Sequence, residues 1–133
     1  MQTLSLHLTG VPTHLCPGIA ETAAVLPLSF ADDGIPVSVE KGDKLIAELT
    51  ETGGRIVYSK KVEIFRALAH IAREGLGCHV EEKATFRNNG FMLDASRNAV
   101  ESPAAVKRLI RYMALLGMDL LMLYTEDTYE VEG

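Results

Sequence analysis

Leu4-Ser5-Leu6-His7-Leu8 alternates apolar with polar residues and predicts a strand. Residues 10–34 are rich in Gly, Pro, Thr and Ala and show no clear period until the turn signal Asp32-Asp33-Gly34. Pro36 to Glu40 then predicts a second strand, and Lys41-Gly42-Asp43 a turn. Leu45 to Leu49 and Arg55 to Tyr58 predict two more strands, joined by the hairpin punctuation Thr52-Gly53-Gly54. From about Lys61 to Glu74 the period lengthens. Val62, Phe65, Ala69 and Ala72 recur at helical spacing, Leu68 and Ile71 widen the stripe, and Gly75 and Gly77 end the helix. Cys78 to Phe86 is extended. Residues 1–87 thus predict an α+β domain, a mostly antiparallel sheet with a helix on one face.

Arg87-Asn88-Asn89-Gly90 is polar and turn-prone and marks the expected domain boundary. Phe91-Met92-Leu93 is a continuous apolar run of the kind that fills a parallel strand buried on both faces. A helix follows, with Ser102 at its N-cap, Pro103 in its first turn and Gly117 at its end. Its stripe is Val106, Leu109, Ile110, Met113 and Leu116, and Lys107, Arg108 and Arg111 lie outside it. Met118 to Tyr124 predicts the next buried strand. Met92, Met113, Met118 and Met122 are expected on buried faces as core filler. A strand–helix–strand unit cannot bury both faces of its sheet alone, so residues 88–133 begin an architecture without finishing it.

At 133 residues the chain has the size of one ordinary domain, and 47% hydrophobic with 23% charged residues is a globular composition, not a disordered one. A net charge of −5 argues against non-specific nucleic-acid binding, which needs a basic face. No apolar run approaches the ~20 residues that a bilayer requires. The start Met1-Gln2-Thr3-Leu4-Ser5 has no signal-peptide pattern, so cytoplasmic residence is the default expectation. There Cys16 and Cys78 are expected as reduced, buried thiols.

Candidate chemistry sits where the last two predicted strands end: Asp94-Ala95-Ser96-Arg97 after one and Tyr124-Thr125-Glu126-Asp127 after the other. In parallel α/β architecture the carboxyl ends of strands open onto the binding crevice. Asp94 could orient Arg97 or cap a turn. Tyr124 and Tyr129 could stack on a ligand or simply pack. His7, His14, His70 and His79 are scattered without metal spacing, and Gly53-Gly54 lacks the frame of a phosphate loop. Neither a cofactor nor a metal is expected.

The run Phe91-Met92-Leu93-Asp94-Ala95-Ser96-Arg97-Asn98 resembles the first barrel strand of glycoside hydrolase family 20, the β-N-acetylhexosaminidases, where an apolar strand leads into Leu-Asp-x-x-Arg. Val106 to Ala114 is similar to the family's first barrel helix, and Gly117 to Asp127 to its second strand and loop. At that loop the family more often has His-Leu-Thr-Asp, where this chain has Leu123-Tyr124-Thr125-Glu126. The resemblance spans about residues 35–133. It implies a first βαβ unit of an incomplete (β/α)₈ barrel over 88–133, cut short of the ~250 residues that a full barrel takes. It also implies hydrolysis of terminal N-acetylhexosamine by substrate-assisted retention, in which the 2-acetamido oxygen attacks, an Asp orients it and an adjacent Glu is the acid.

This chain contains no Asp-Glu dipeptide, so the expectation is an N-terminal portion that is inactive alone. The resemblance assigns Arg97 to the hydroxyls at sugar carbons 3 and 4, which a planar guanidinium fork suits. Glu126 joins it as a substrate-binding candidate at the pocket floor, supported by Asp94 and Asp127; either acid of the Glu126-Asp127 pair could instead hold a cation of a later strand. The expected partner is a glycan or N-acetylhexosaminide, with no nucleic acid and no membrane. The contrasting expectation is a small non-catalytic module that binds or self-associates through its open sheet edge.

Overall fold

The computed structural model describes residues 3–96 and 100–126. Six strands form the first sheet: β1 (Leu4–Thr9), β2 (Leu28–Phe30), β3 (Ile35–Lys41), β4 (Leu45–Leu49), β5 (Gly54–Tyr58) and β6 (His79–Glu82), in the order β2-β1-β3-β5-β4-β6. β1 runs parallel to β2 and β3, and β3 parallel to β5. Only β4 is reversed against its neighbours, β5 and β6. The sheet is therefore mixed, which corrects the expectation of a mostly antiparallel one. β5 returns from the β4 hairpin and inserts between β3 and β4, so β3 and β4 never pair despite the short turn between them. Alternation concealed this. β4 reads buried–half-buried throughout, Leu45, Ala47 and Leu49 against Ile46 and Glu48, because helices cover only one face of the sheet. One-sided burial gives the period-2 signature whatever the strand direction.

Two helices cover that face. α1 (Cys16–Thr22) and β2 lie in the stretch where no period was legible. α1 buries only Ile19 and Thr22, too few positions to establish a stripe. α2 (Val62–Glu74) buries Ile64, Ala67, Leu68, Ile71 and Ala72 in one cluster with Leu6, Val37, Leu45, Leu49 and Ile56. The buried stripe is thus centred on Ile64–Leu68–Ile71, and the expected Val62, Phe65 and Ala69 are only half-buried. Val62 and Phe65 line a second cleft instead, shared with Ile110 and Ala114 of α3 (Pro103–Leu115). α2 therefore has two apolar faces, one for each half of the chain. Glu63 is buried as well; its carboxylate accepts the backbone N–H groups of Ser59 (2.7 Å) and Lys60 (3.1 Å), which closes the start of the helix.

The second sheet is a parallel pair, β7 (Gly90–Asp94) and β8 (Leu120–Tyr124), joined through α3. Ser102 caps α3 as expected, its Oγ accepting from Ala105 N at 3.2 Å. Gly117 (φ +76°) turns the chain out of it toward β8. The strand pair is not buried. Met92 is 60% and Met122 52% exposed, and Phe91, Leu120 and Leu123 are exposed beside them. Their expected burial is corrected, Met113 being the one buried methionine among the described residues. α3 covers one side of the pair, meeting Phe91 and Leu93 through Val106 and Leu109, and the other side faces solvent. Cys16 is also exposed, against expectation, whereas Cys78 is buried and its thiol is pushed up to about 11 by that burial.

Three cations tie the halves together. Arg111 of α3 donates to Glu21 of α1 at 2.8 Å. Arg66 of α2 donates to both oxygens of Glu82 on β6 and, through Nη1, to the Leu116 carbonyl beyond α3 at 3.0 Å. Lys60 donates to the Phe86 and Arg87 carbonyls and to Asp119 Oδ2 at 2.9 Å, just before β8. Asp119 Oδ1 accepts from Asn89 N at 2.7 Å, and Asp119 N returns a bond to Asn89 O at 2.8 Å. The Asn89 amide and the Lys60 ammonium hold the Asp119 carboxyl below its ordinary range, and Arg66 does the same for Glu82.

Two outcomes follow from this packing. Leu68→Ala, at a site with no exposure, lowers stability by ~2–5 kcal/mol in urea unfolding; a loss under ~1 kcal/mol would show that α2 is not the centre of the core. Depressed carboxyl values mean stability that is complete above the unfolded carboxyl range, about pH 4, and is lost as pH falls through the folded values. The urea midpoint at pH 3 is therefore below that at pH 7, and Asp119→Asn with Glu82→Gln narrows the difference.

Candidate functional site

The carboxyl ends of β7 and β8 lie side by side because the pair is parallel and in register, Asp94 opposite Tyr124. The ladder closes one residue further on, where Ala95 N donates to Tyr124 O at 2.8 Å. Asp94 Oδ1 accepts from Ser96 N at 2.8 Å and from Ser96 Oγ at 2.6 Å, a turn in which the side chain mimics a backbone carbonyl. Across the pair, Tyr124 Oη donates to Glu126 Oε1 at 2.8 Å. Four polar groups, from Asp94, Ser96, Tyr124 and Glu126, thereby gather at one end of a strand pair whose body is apolar.

Tyr124 and Glu126 are exposed, and Asp94 and Ser96 half-buried. The Tyr124 phenol is held above its usual range, first by its bond to the Glu126 carboxylate, then by desolvation and the charge of Asp94. It is therefore a protonated hydroxyl at neutral pH and a fixed donor. Ser96 was not singled out from the sequence, although an Asp followed two residues later by Ser is the spacing of such a turn. Arg97, Asp127 and Tyr129 lie outside the described residues. His70 is buried beside Glu82, at 3.2 Å from Oε1, in the α2–β6 contact and far along the chain from these strand ends. Among the described residues no group of three or more His, Cys, Asp or Glu could hold a metal ion.

The arrangement offers hydrogen-bond donors and acceptors suited to a polyhydroxylated ligand. Glu48, Glu82 and Asp119, away from these strand ends, are shifted downward by a cation or by backbone N–H groups.

A mixed six-stranded sheet with helices on one face, followed by a parallel strand–helix–strand unit with polar strand ends, defines the class as mixed α/β. Solved structures make it specific. The chain matches β-N-acetylhexosaminidase from Bacteroides fragilis with a TM-score of 0.66 at 12% identity, over 92% of this chain and 28% of that one. It matches the glycoside hydrolase family 20 exo-β-N-acetylglucosaminidase from Vibrio harveyi, in complex with N-acetylglucosamine, with a TM-score of 0.69 at 17% identity, over 93% of this chain and 22% of that one. The fold is thus that of the N-terminal region of these enzymes, in agreement with the resemblance seen in residues 91–127. The chain spans about a quarter of their length. No protein-family model and no curated protein matches the sequence.

Replacing Glu126 by Gln removes the charge that holds the proton on Tyr124. The Tyr124 titration, read from ring-carbon NMR shifts, then moves down toward the ordinary phenol value near 10. An unchanged titration would show that the Tyr124–Glu126 bond is not formed in solution.

Proposed function

We propose that this chain supplies the sheet domain, about 1–87, and the first βαβ unit, 88–133, of the barrel of a β-N-acetylhexosaminidase. That enzyme removes terminal non-reducing N-acetylhexosamine by substrate-assisted retention. The observation that carries this reading is the shared fold over more than nine-tenths of the chain, with polar groups at the ends of β7 and β8 where barrel enzymes place their sites. In this reading Arg97 donates its guanidinium fork to two adjacent sugar hydroxyls, and Asp94 and Ser96 shape the turn that leads to it. Glu126 accepts from another hydroxyl, with Tyr124 beside it and Asp127 in a supporting role. The acid and the acetamide-orienting Asp come from later barrel strands. The exposed faces of Met92, Met122 and Leu123 are then the seat of those strands, and in the chain alone they favour self-association.

Catalysis divides accordingly. These residues contribute positioning, which fixes the ring so that its own 2-acetamido oxygen sits behind the anomeric carbon. The 133-residue chain alone releases no chromophore from an aryl N-acetylglucosaminide; release above blank would overturn the division. In a polypeptide that joins this sequence to the rest of such a barrel, Arg97→Ala lowers kcat/KM by ~100-fold or more, as lost orientation does. Unchanged kcat/KM would remove Arg97 from the site.

A further inference from the structure

The strand pair that carries the candidate site has no register information in its own pattern. Phe91-Met92-Leu93 faces Leu121-Met122-Leu123, apolar opposite apolar at every step. In a strand with one polar and one apolar face, a slip of one residue turns the wrong side to the core and is strongly disfavoured. Here a slip of one sets apolar against apolar again. It would nevertheless be ruinous for the site. It would move the end of β8 by ~3.3 Å and place Tyr124 on the opposite face from Asp94.

Four residues at the other end of the pair break this degeneracy. Asp119 and Asn89 exchange two hydrogen bonds, Asp119 N to Asn89 O at 2.8 Å and Asn89 N to Asp119 Oδ1 at 2.7 Å, which sets one residue opposite one other. The second Asp119 oxygen is held by Lys60 at 2.9 Å, and the same ammonium binds the carbonyls of Phe86 and Arg87 just upstream of β7. Gly90 faces Leu120, where a Cβ would run into the Leu120 carbonyl oxygen; a slip by one would put Asn89 or Phe91 in a place that only a glycine fills. Of these groups only Lys60 lies outside the strand–helix–strand unit. It sits between β5 and α2, on the sheet domain.

We propose that Lys60 and Asp119 are positioning residues. From the amino-terminal end of the β7–β8 pair they fix the register that brings Tyr124 and Glu126 beside Asp94, so the sheet domain is the template on which the first strand pair is set. The proposal rests on the reading of the strand ends as a ligand site only for its consequence; the register itself is measured without substrate.

The test is made on the whole chain with methyl-labelled methionine and leucine. In register, Met92 and Met122 stand opposite each other, and a nuclear Overhauser cross-peak joins their methyl groups. Asp119→Ala loses that peak, gains one from Met92 to Leu121 or Leu123, and shifts the Tyr124 ring signals. Asp119→Asn keeps an acceptor for Asn89 N and retains the native peak. Lys60→Met shows native and slipped peaks together. Native peaks alone, with unshifted Tyr124 signals, in both Asp119→Ala and Lys60→Met would overturn the proposal. Where Asp119→Ala abolishes both kinds of peak, Lys60→Met decides: slipped peaks support the proposal and native peaks alone overturn it. A chain that passes this test and yet contributes to no hexosaminidase separates the two readings.

Discussion

Helix α2 is the constraint on which the rest of the structure depends, because it packs on the first sheet and on α3 at once. Ile64, Leu68 and Ile71 have no exposure and fill the space over the first sheet. Val62 and Phe65, a quarter-turn round, meet Ile110 and Ala114 of α3. The residues leading into it and along it place Lys60 and Arg66 where they reach past the interface to Asp119, Leu116 and the chain before β7. A two-stranded parallel pair with one helix falls below the roughly 40 residues that a domain usually needs to fold unaided. What stability it has is borrowed largely through this helix, with α1 adding the Glu21–Arg111 pair. Apolar contact supplies most of the energy, and the exposed ion pairs add little beyond geometry.

The sequence made the regular parts of this fold legible and left the direction of its strands hidden. β3, β4 and β5 alternate because one face of their sheet is covered, and the alternation locates them well. The same alternation looks antiparallel, and pairing order is a matter of long-range contacts that no local period encodes. α1 and β2 stayed invisible since α1 buries two side chains and β2 runs for three residues. The stripe of α2 was misplaced by one step round the helix because a helix with two apolar neighbours has two overlapping stripes. Ser102, Pro103 and Gly117 bounded α3 from chemistry that is local, and there the reading and the structure agree.

The strand ends show a different limit. Asp94 and Glu126 could be singled out because polar groups end two apolar runs, but their partners could not. Nothing in one strand says that Asp94 will face Tyr124, since that follows from pairing. The expected burial of β7 and β8 failed for an instructive reason. A continuous apolar run reports the environment that a strand is suited to, not the one that a given length of chain provides. Among the described residues, eleven of thirteen exposed large apolar side chains lie from Phe86 onward, so the mismatch is confined to the second half. The first half satisfies its own pattern and the second does not.

That contrast bears on how a site can be assembled from parts. A general acid must be desolvated to hold a proton near neutrality, and desolvation requires walls on all sides. Positioning groups have no such need. A phenol bonded to a carboxylate, and an Asp turned onto its own chain, keep their geometry in open solvent through short local bonds. Glu48, Glu82 and Asp119 are likewise held toward the charged form, each by a cation or backbone N–H groups within reach. A unit exposed on one face can carry orientation and register. A desolvated acid asks for more, since it needs protein on the other side as well.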